Sequence, residues 1–239
     1  MSVMGLHADL IWKGKAGIGH GMPFAWIYST EPNTGKTEAA TLAHSMLGMF
    51  KRQPWAGDAT KPALFERLAQ QANLTVVVDD VVVRKDESQA YAQLGRSIFD
   101  QSTRAVCGKA RTPLSSAMFT SNNLINTEDA AFQSRCIPIK FDKLVSSGKE
   151  DSDLYNDWVS CRELVSALTP DFESLLLDGG LDHEAIMDCA SYMQIAVSKQ
   201  RDRNANLWGL LLYYMLNVRL MFQASCETLE TVVHWVVTE

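Results

Sequence analysis

The sequence has 239 residues, of which 46% are hydrophobic, and its formal net charge at pH 7 is −6. This size suits one large domain, or one domain with an appendage, and no apolar stretch reaches the roughly 18 residues that a membrane span needs. The lack of such a stretch predicts no membrane partner. The five cysteines are widely spaced with no Cys-x-x-Cys pair, which disfavours a zinc site or a disulfide framework and predicts a reducing, intracellular compartment.

Strands alternate with helices in the first part of the chain. Residues 1–23 read as an irregular lead-in, and the elements that follow are bounded by polar loops. In chain order we predict a strand over Phe24–Ser29, helices over Thr37–Phe50 and Ala63–Gln71, a strand over Leu74–Val83, a helix over Ser88–Asp100, a hairpin over Arg104–Pro113, and strands over Ser116–Ser121 and Ile137–Phe141. This alternation predicts an α/β fold in which helices cover both faces of a parallel sheet.

From about residue 150 the pattern predicts only helices. They are expected over Leu154–Leu168, His183–Lys199, Asn204–Phe222 and Cys226–Val237. The charge changes at the same point. Residues 1–149 carry 17 Lys and Arg against 13 Asp and Glu, whereas residues 150–239 carry 5 against 15. We therefore predict a core over residues 1–149 and a helical C-terminal region over residues 150–239. Any nucleic-acid contact is expected to be local and to lie in the first part.

A phosphate-binding loop is predicted between the first strand and the first long helix. Its residues match G-x-x-x-x-G-K-[ST], except that the first position is not glycine: Thr30, Glu31, Pro32, Asn33, Thr34, Gly35, Lys36 and Thr37. Backbone N–H groups of such a loop converge on phosphates at a helix N-terminus. Gly35 allows close approach of the backbone, Lys36 carries charge to the β- and γ-phosphates, and Thr37 offers a hydroxyl to Mg²⁺. The alternative is an ordinary strand–loop–helix junction.

Acidic and amide side chains end two later strands. Asp79 and Asp80 close a run of valines, where charge is costly unless it faces a ligand or a cation. We predict that Asp79 holds Mg²⁺ through its water shell and that Asp80 orients or deprotonates the attacking water. Asn122 ends another strand, and the carboxyl ends of neighbouring parallel strands meet in one crevice. The alternatives are two solvated aspartates and a simple turn.

In this order, the motifs resemble those of superfamily 3 helicases of small DNA viruses and the related primase–helicase ATPases of phages and plasmids. The resemblance covers about residues 24–142. It rests on Pro32–Thr37, Val77-Val78-Asp79-Asp80, Phe99-Asp100, Gly108-Lys109-Ala110-Arg111, Phe119-Thr120-Ser121-Asn122 and Ser134-Arg135 followed by Ile137–Phe141.

The resemblance implies an AAA+-like ATPase core that forms a homohexameric ring and moves along single-stranded DNA with ATP and Mg²⁺. It also implies that Lys109, with Arg111 nearby, grips DNA from a hairpin in the pore. Arg135 is placed where an arginine could reach a neighbouring subunit's γ-phosphate and stabilise the transition state. The alternatives are a solvated hairpin tip for Lys109 and Arg111, and a surface arginine for Arg135.

Three functions follow from these residues. The first is a ring-forming ATPase motor that translocates on or unwinds DNA. The second is a nucleotide-gated switch that remodels or assembles proteins, with the acidic C-terminal half as the partner surface. The third is a binding module with an inactive site, which the joint presence of Lys36, Thr37, Asp79 and Asp80 disfavours.

Overall fold

The computed structural model divides the chain into two compact units. One contains Met1–Asp9 and Gly21–Gly180, and the other contains Leu10–His20 and Leu181–Glu239. The first unit extends past residue 150, and the division expected there from the sequence stays a prediction. The structure describes residues 2–13, 21–48, 54–83, 88–106, 108–124, 129–142, 181–196 and 202–222, with single positions and short runs between 153 and 174.

Seven strands and six helices are described before residue 143. In chain order they are α1 (Ser2–Gly5), α2 (Ala8–Trp12), β1 (Phe24–Tyr28), α3 (Lys36–Ser45), β2 (Trp55–Ala56), α4 (Lys61–Gln70), β3 (Val76–Val81), α5 (Ser88–Asp100), β4 (Arg104–Val106), β5 (Lys109–Arg111), β6 (Ala117–Ser121), α6 (Ala130–Gln133) and β7 (Cys136–Lys140). Five of the strands form one sheet in the order β2-β3-β6-β1-β7, and every neighbouring pair in it is parallel. The predicted α/β fold class is confirmed.

Helices bury both faces of the sheet, and successive side chains of a strand point to opposite faces. Phe24 and Trp26 of β1 face a large cluster with residues of α4, α5 and α6. Ala25 and Ile27 face the other way and pack with Ala40 of α3. Such two-sided burial explains why the strands read as almost continuous apolar runs in the sequence.

The strand order places β6 between β1 and β3. Trp26 lies beside Phe119 in the register of β1 with β6, and Val78 lies beside Phe119 in the register of β3 with β6. The ends of the phosphate-loop strand, the asparagine strand and the acidic strand therefore lie side by side at one edge of the sheet. This edge carries the candidate site.

Two local predictions were wrong. Residues 1–23 are not wholly irregular, because α1 and α2 occur there and bury Met4 and Ile11. No strand is predicted between the helices over Thr37–Phe50 and Ala63–Gln71, yet Trp55–Ala56 pairs in parallel with β3 as an edge strand. In both cases tertiary contacts stabilise segments too short to show a periodic pattern.

The second unit contains two packed helices, α7 (His183–Ala196) and α8 (Asp202–Phe222). Gly209 of α8 lies so close to α7 that an added Cβ would stand 2.4 Å from Cα of Ala190. The described positions between 153 and 174 are helical, whereas the helix predicted over Cys226–Val237 lies outside the described residues. Among the helices that the structure describes, none has both the length and the apolarity to cross a membrane.

Candidate functional site

The loop after β1 has the backbone of a phosphate cradle. Gly35 has φ +82° and Asn33 has φ +57°, both in the left-handed region, and α3 begins at the next residue, Lys36. An added Cβ on Gly35 would meet no atom within 4 Å, so open space adjoins the loop at this point. The N–H groups of the first turn of a helix are available to an anion when no capping side chain takes them.

Lys36 connects the loop with the end of β6. Its Nζ donates hydrogen bonds to the Glu31 carbonyl oxygen at 3.4 Å, to Thr34 Oγ1 at 3.3 Å and to Asn122 Oδ1 at 3.3 Å. All three acceptors are oxygens, as are the acceptor atoms of a phosphate group. The ammonium group is thus held over the loop, on the side that faces the ends of the neighbouring strands.

Thr37 and Asp79 meet directly although 42 positions separate them in the chain. Thr37 Oγ1 donates a hydrogen bond to Asp79 Oδ1 at 2.7 Å, between the first turn of α3 and β3. A hydroxyl and a carboxylate this close can share a hard cation such as Mg²⁺, which takes few protein oxygens and fills its other positions with water and phosphate. Among the residues that the structure describes, no group of three His, Cys, Asp or Glu forms a self-sufficient metal site.

Asp80 lies at an irregularity in the sheet. The register of β3 against β6 shifts between Val78 and Val81, and Asp80 has φ +52°, which is uncommon for a residue with a side chain. Its exposed carboxylate accepts a hydrogen bond from Asn122 Nδ2 at 3.4 Å. Asn122 therefore contacts both Lys36 and Asp80.

A cleft of about 820 Å³ opens on the acidic strand. Residues 54–62 form much of its wall, and Asp79, Asp80, Val82 and Tyr91 complete it. Gly57 packs so tightly there that an added Cβ would stand 2.4 Å from the Asp80 carbonyl oxygen. Tyr91 holds this glycine by donating its hydroxyl to the Gly57 carbonyl at 3.2 Å.

Arg135 is not at this edge of the sheet. Its carbonyl accepts from the N–H of Phe24 at the start of β1, the end opposite to the loop. Its guanidinium pairs with Asp100 at 3.4 Å and lies over the Phe99 ring at 5.3 Å. The structure thus brings together Phe99-Asp100 and Ser134-Arg135, which are separate motifs in the sequence. A role of Arg135 towards a neighbouring subunit stays a prediction.

The predicted basic hairpin is formed by the antiparallel strands β4 and β5. It comes before β6 in the chain and, like Arg135, lies towards the amino ends of the sheet strands. Lys109 is exposed, next to Gly108 with φ +75°. Arg111 instead forms two hydrogen bonds with the Glu66 carboxylate, from Nε and from Nη2. The hydrogen bond from Arg111 lowers the pKa of Glu66 below its usual value, and the same pair raises the pKa of Arg111. Of the two predicted DNA-contacting residues, only Lys109 presents its charge without such an ion pair in the described part of the chain.

Sequence reasoning did not select two residues that touch the acidic pair, Thr120 and Gly57. Thr120 contacts both aspartates, as described below, and Gly57 packs on Asp80. Thr120 had a signal, since it lies in the segment Phe119–Asn122 that also supplies Asn122. Gly57 had none, because only the pairing of β2 with β3 brings its loop to the site.

The fold and the clustered residues define an α/β protein. It has a five-stranded parallel sheet flanked by helices, with the loop pattern of P-loop nucleoside triphosphatases after β1, and further helices follow the sheet in the chain. Neither protein-family models nor curated proteins gave a match to the sequence. A solved structure described as "SCCmec type IV Cch - active helicase" is similar in fold, with a TM-score of 0.71 and 16% identity, and covers 99% of this chain. This chain spans 46% of that one, so the likeness concerns about half of its length.

A structure described as "JCV Helicase" was also matched. Its TM-score is 0.37, with 13% identity over 100% of this chain and 65% of that chain. A score this low supports no argument about this protein, so the fold assignment depends on the first comparison and on the sheet topology.

Proposed function

We propose that this chain is a Mg²⁺-dependent ATPase and that it works as a ring-forming motor on single-stranded DNA. One observation carries the first half of this proposal. Five polar side chains from the start of α3 and the carboxyl ends of β3 and β6 converge on one edge of the sheet, where Asn122 contacts both Lys36 and Asp80, and Thr37 contacts Asp79. They are Lys36, Thr37, Asp79, Asp80 and Asn122.

The loop and helix fit the triphosphate of ATP. The positive φ of Gly35 and the open space beside it allow phosphate oxygens to approach the backbone, while the start of α3 offers N–H donors. Lys36 adds a cation whose present hydrogen-bond acceptors are oxygens that phosphate can replace. Thr30, in the position of the usual glycine, is exposed and is not among the loop residues with positive φ, which are Asn33 and Gly35.

Thr37 and Asp79 fit Mg²⁺, with Thr37 as a direct ligand and Asp79 as an acceptor for its water shell. When bound, the cation neutralises charge on the β- and γ-phosphates. Asp80 then has the task of orienting a water molecule or accepting its proton, and Asn122 fixes the Asp80 carboxylate from the side of Lys36. This assignment gives each side chain of the cluster one step in hydrolysis.

Two observations support DNA as the track. The fold is similar to that of a structure described as an active helicase, and an exposed lysine stands next to the turn of a two-stranded hairpin. Phosphate contacts from a few cations supply most non-specific affinity for nucleic acid, so a ring of such lysines would suffice despite the acidic composition. A contribution of Arg135 to a neighbouring subunit requires that its ion pair with Asp100 opens, because a paired charge must first lose its partner.

The nucleotide site is tested by phosphate release from ATP with Mg²⁺, comparing the parent protein, Lys36→Ala and Lys13→Ala. Lys13 is an exposed lysine of the other unit and serves as the matched control. Loss of one transition-state donor costs about 100- to 1000-fold in kcat, so we expect that loss for Lys36→Ala and parent activity for Lys13→Ala. Full activity of Lys36→Ala would show that the site is elsewhere.

The motor is tested by the ATPase rate with and without single-stranded DNA, together with particle size by light scattering with and without nucleotide. We expect DNA to stimulate the parent, Lys109→Ala to lose the stimulation while keeping the basal rate, and rings to form. A high ATPase rate that single-stranded DNA does not change would favour the protein-remodelling switch instead. A particle that stays monomeric with nucleotide and DNA would contradict the ring.

A further inference from the structure

Thr120 connects the two aspartates of the site. The residue is 1% exposed, and its hydroxyl makes two contacts with β3. It donates a hydrogen bond to Asp79 Oδ1 and accepts one from the backbone N–H of Asp80 at 2.9 Å. A hydroxyl has one proton to donate, and here that proton is committed to the carboxylate of the predicted Mg²⁺ site.

The place of Thr120 in the sheet explains why the hydroxyl is needed. Phe119 pairs with Val78, and Ser121 pairs with Val81, so Thr120 alone stands opposite both Asp79 and Asp80. Such a bulge leaves one residue of the longer strand without its regular ladder partner. The Asp80 N–H is that orphan donor, and the Thr120 side chain accepts its hydrogen bond.

The same contact holds an uncommon backbone conformation. Asp80 adopts φ +52°, a strained conformation for a residue with a Cβ, which persists only where the surrounding structure holds it. Thr120 fixes the N–H side of Asp80, and Gly57 packs on its carbonyl side. With the backbone turned in this way, the carboxylate of Asp80 meets Asn122.

Asp79 is oriented from two sides. Thr37 and Thr120 both donate to its Oδ1 atom. Its other carboxylate oxygen has no hydrogen bond among the described residues and would accept one from a water molecule bound to Mg²⁺. Hydrogen bonds to a metal-binding carboxylate fix its geometry and, when removed, typically cost 10- to 100-fold in metal affinity or activity.

We propose that Thr120 is a positioning residue that couples the Mg²⁺-binding carboxylate of Asp79 to the water-activating carboxylate of Asp80. Its one hydroxyl orients the Asp79 carboxylate and holds the backbone conformation of Asp80. This inference rests on the proposed ATPase function. It predicts that loss of the hydroxyl impairs metal use and turnover together, while leaving the phosphate loop intact.

The test compares the parent with Thr120→Val, Thr120→Ser and Ser116→Ala. Valine keeps the shape without the hydroxyl, and serine keeps the hydroxyl without the methyl group. Ser116→Ala removes a buried hydroxyl just before β6, whose partner is the Pro23 carbonyl at 2.6 Å, far from the acidic pair in the sheet. The measurements are kcat, KM for ATP, the Mg²⁺ concentration for half-maximal rate, ADP binding in EDTA and the melting temperature.

We expect Thr120→Val to lower kcat and to raise the half-maximal Mg²⁺ concentration, each by about 10-fold or more, with ADP binding in EDTA unchanged. Thr120→Ser should retain most of the activity, and Ser116→Ala should lower only the melting temperature. Parent-like kcat and Mg²⁺ dependence in Thr120→Val would overturn the proposal, as would an equal loss in Ser116→Ala.

If Thr120→Val does not fold, Thr120→Ala replaces it. Parent-like kcat and Mg²⁺ dependence in Thr120→Ala, or an equal loss in Ser116→Ala, would then overturn the proposal. The failure of the coupling role is distinguishable from the failure of the ATPase proposal. If the parent protein itself does not hydrolyse ATP with Mg²⁺, the proposed function is wrong. If the parent is active and the hydroxyl-free variants match it, only the role of Thr120 is wrong.

Discussion

The two edges of the sheet use charged side chains differently. At the carboxyl edge, Lys36, Asp79 and Asp80 contact neutral polar groups such as Thr37 and Asn122 and face open space or a cleft. At the amino edge, two arginines form ion pairs within the chain: Arg135 with Asp100, and Arg111 with Glu66.

This difference bears on which charges are available to a ligand. A charge that contacts only neutral groups keeps most of its attraction for an incoming ion, whereas a paired charge must first lose its partner. The comparison therefore favours the carboxyl edge as the site of chemistry. At the amino edge it separates Lys109 from Arg111, which the sequence had treated as one basic patch.

The largest expected effect concerns the two aspartates. Asp80→Asn removes a predicted proton acceptor, and we expect kcat to fall by about 100-fold or more with the Mg²⁺ dependence unchanged. Asp79→Asn weakens the predicted Mg²⁺ site, and we expect the half-maximal Mg²⁺ concentration to rise about 10- to 100-fold. Steady-state ATPase assays across a Mg²⁺ titration measure both. Identical behaviour of the two variants would break the assignment of separate roles.

An intermediate effect is expected at the hairpin. Lys109→Ala should weaken binding to single-stranded DNA and reduce the magnitude of its salt slope by about 1, because one phosphate contact per subunit is lost. Arg111→Ala should change the slope less, since Arg111 already pairs with Glu66. Fluorescence anisotropy with a labelled oligonucleotide between low and moderate salt measures both slopes. A larger change for Arg111→Ala would reverse the distinction drawn between these residues.

The smallest effect concerns the pH dependence of the Arg111–Glu66 pair. The pKa of Glu66 is lowered in the folded protein, so the pair stabilises the fold above the unfolded-state pKa and loses this contribution as the pH falls through the folded-state pKa. Side chains about 30% exposed make the contribution small. We expect Arg111→Ala to melt slightly below the parent at pH 7, and the gap to close below about pH 4.

Thermal melts of both proteins across that pH range supply the measurement. Glu66→Gln is the matched variant, because it removes the titrating group and keeps the side-chain length. A melting gap between Arg111→Ala and the parent that persists unchanged at low pH would show that packing, rather than the ion pair, is what the arginine contributes.

Local patterns determined much of this fold. Apolar runs ending in Ser29, Asp79–Asp80 and Asn122 predicted three strands of the sheet, and glycine and lysine before a helical pattern predicted the loop at Gly35–Lys36. These predictions succeed because strands buried on both faces need continuous apolar residues, and because polar groups at their ends are costly without a ligand or a partner.

Other features depend on neighbours that the sequence does not reveal. The short strand Trp55–Ala56 exists because β3 offers it a ladder, and Gly57 reaches the site through that pairing.

The sequence by itself determined which residue types can bind a phosphate and Mg²⁺, because the loop pattern and the acidic strand end are local in the chain. Only the tertiary structure decided that Thr120 stands opposite both aspartates and that Arg111 is held by Glu66. Contacts of this kind join residues about 40 positions apart, and only the pairing of β3 with β6 and the packing of the hairpin on α4, which no local pattern encodes, bring them within hydrogen-bonding distance.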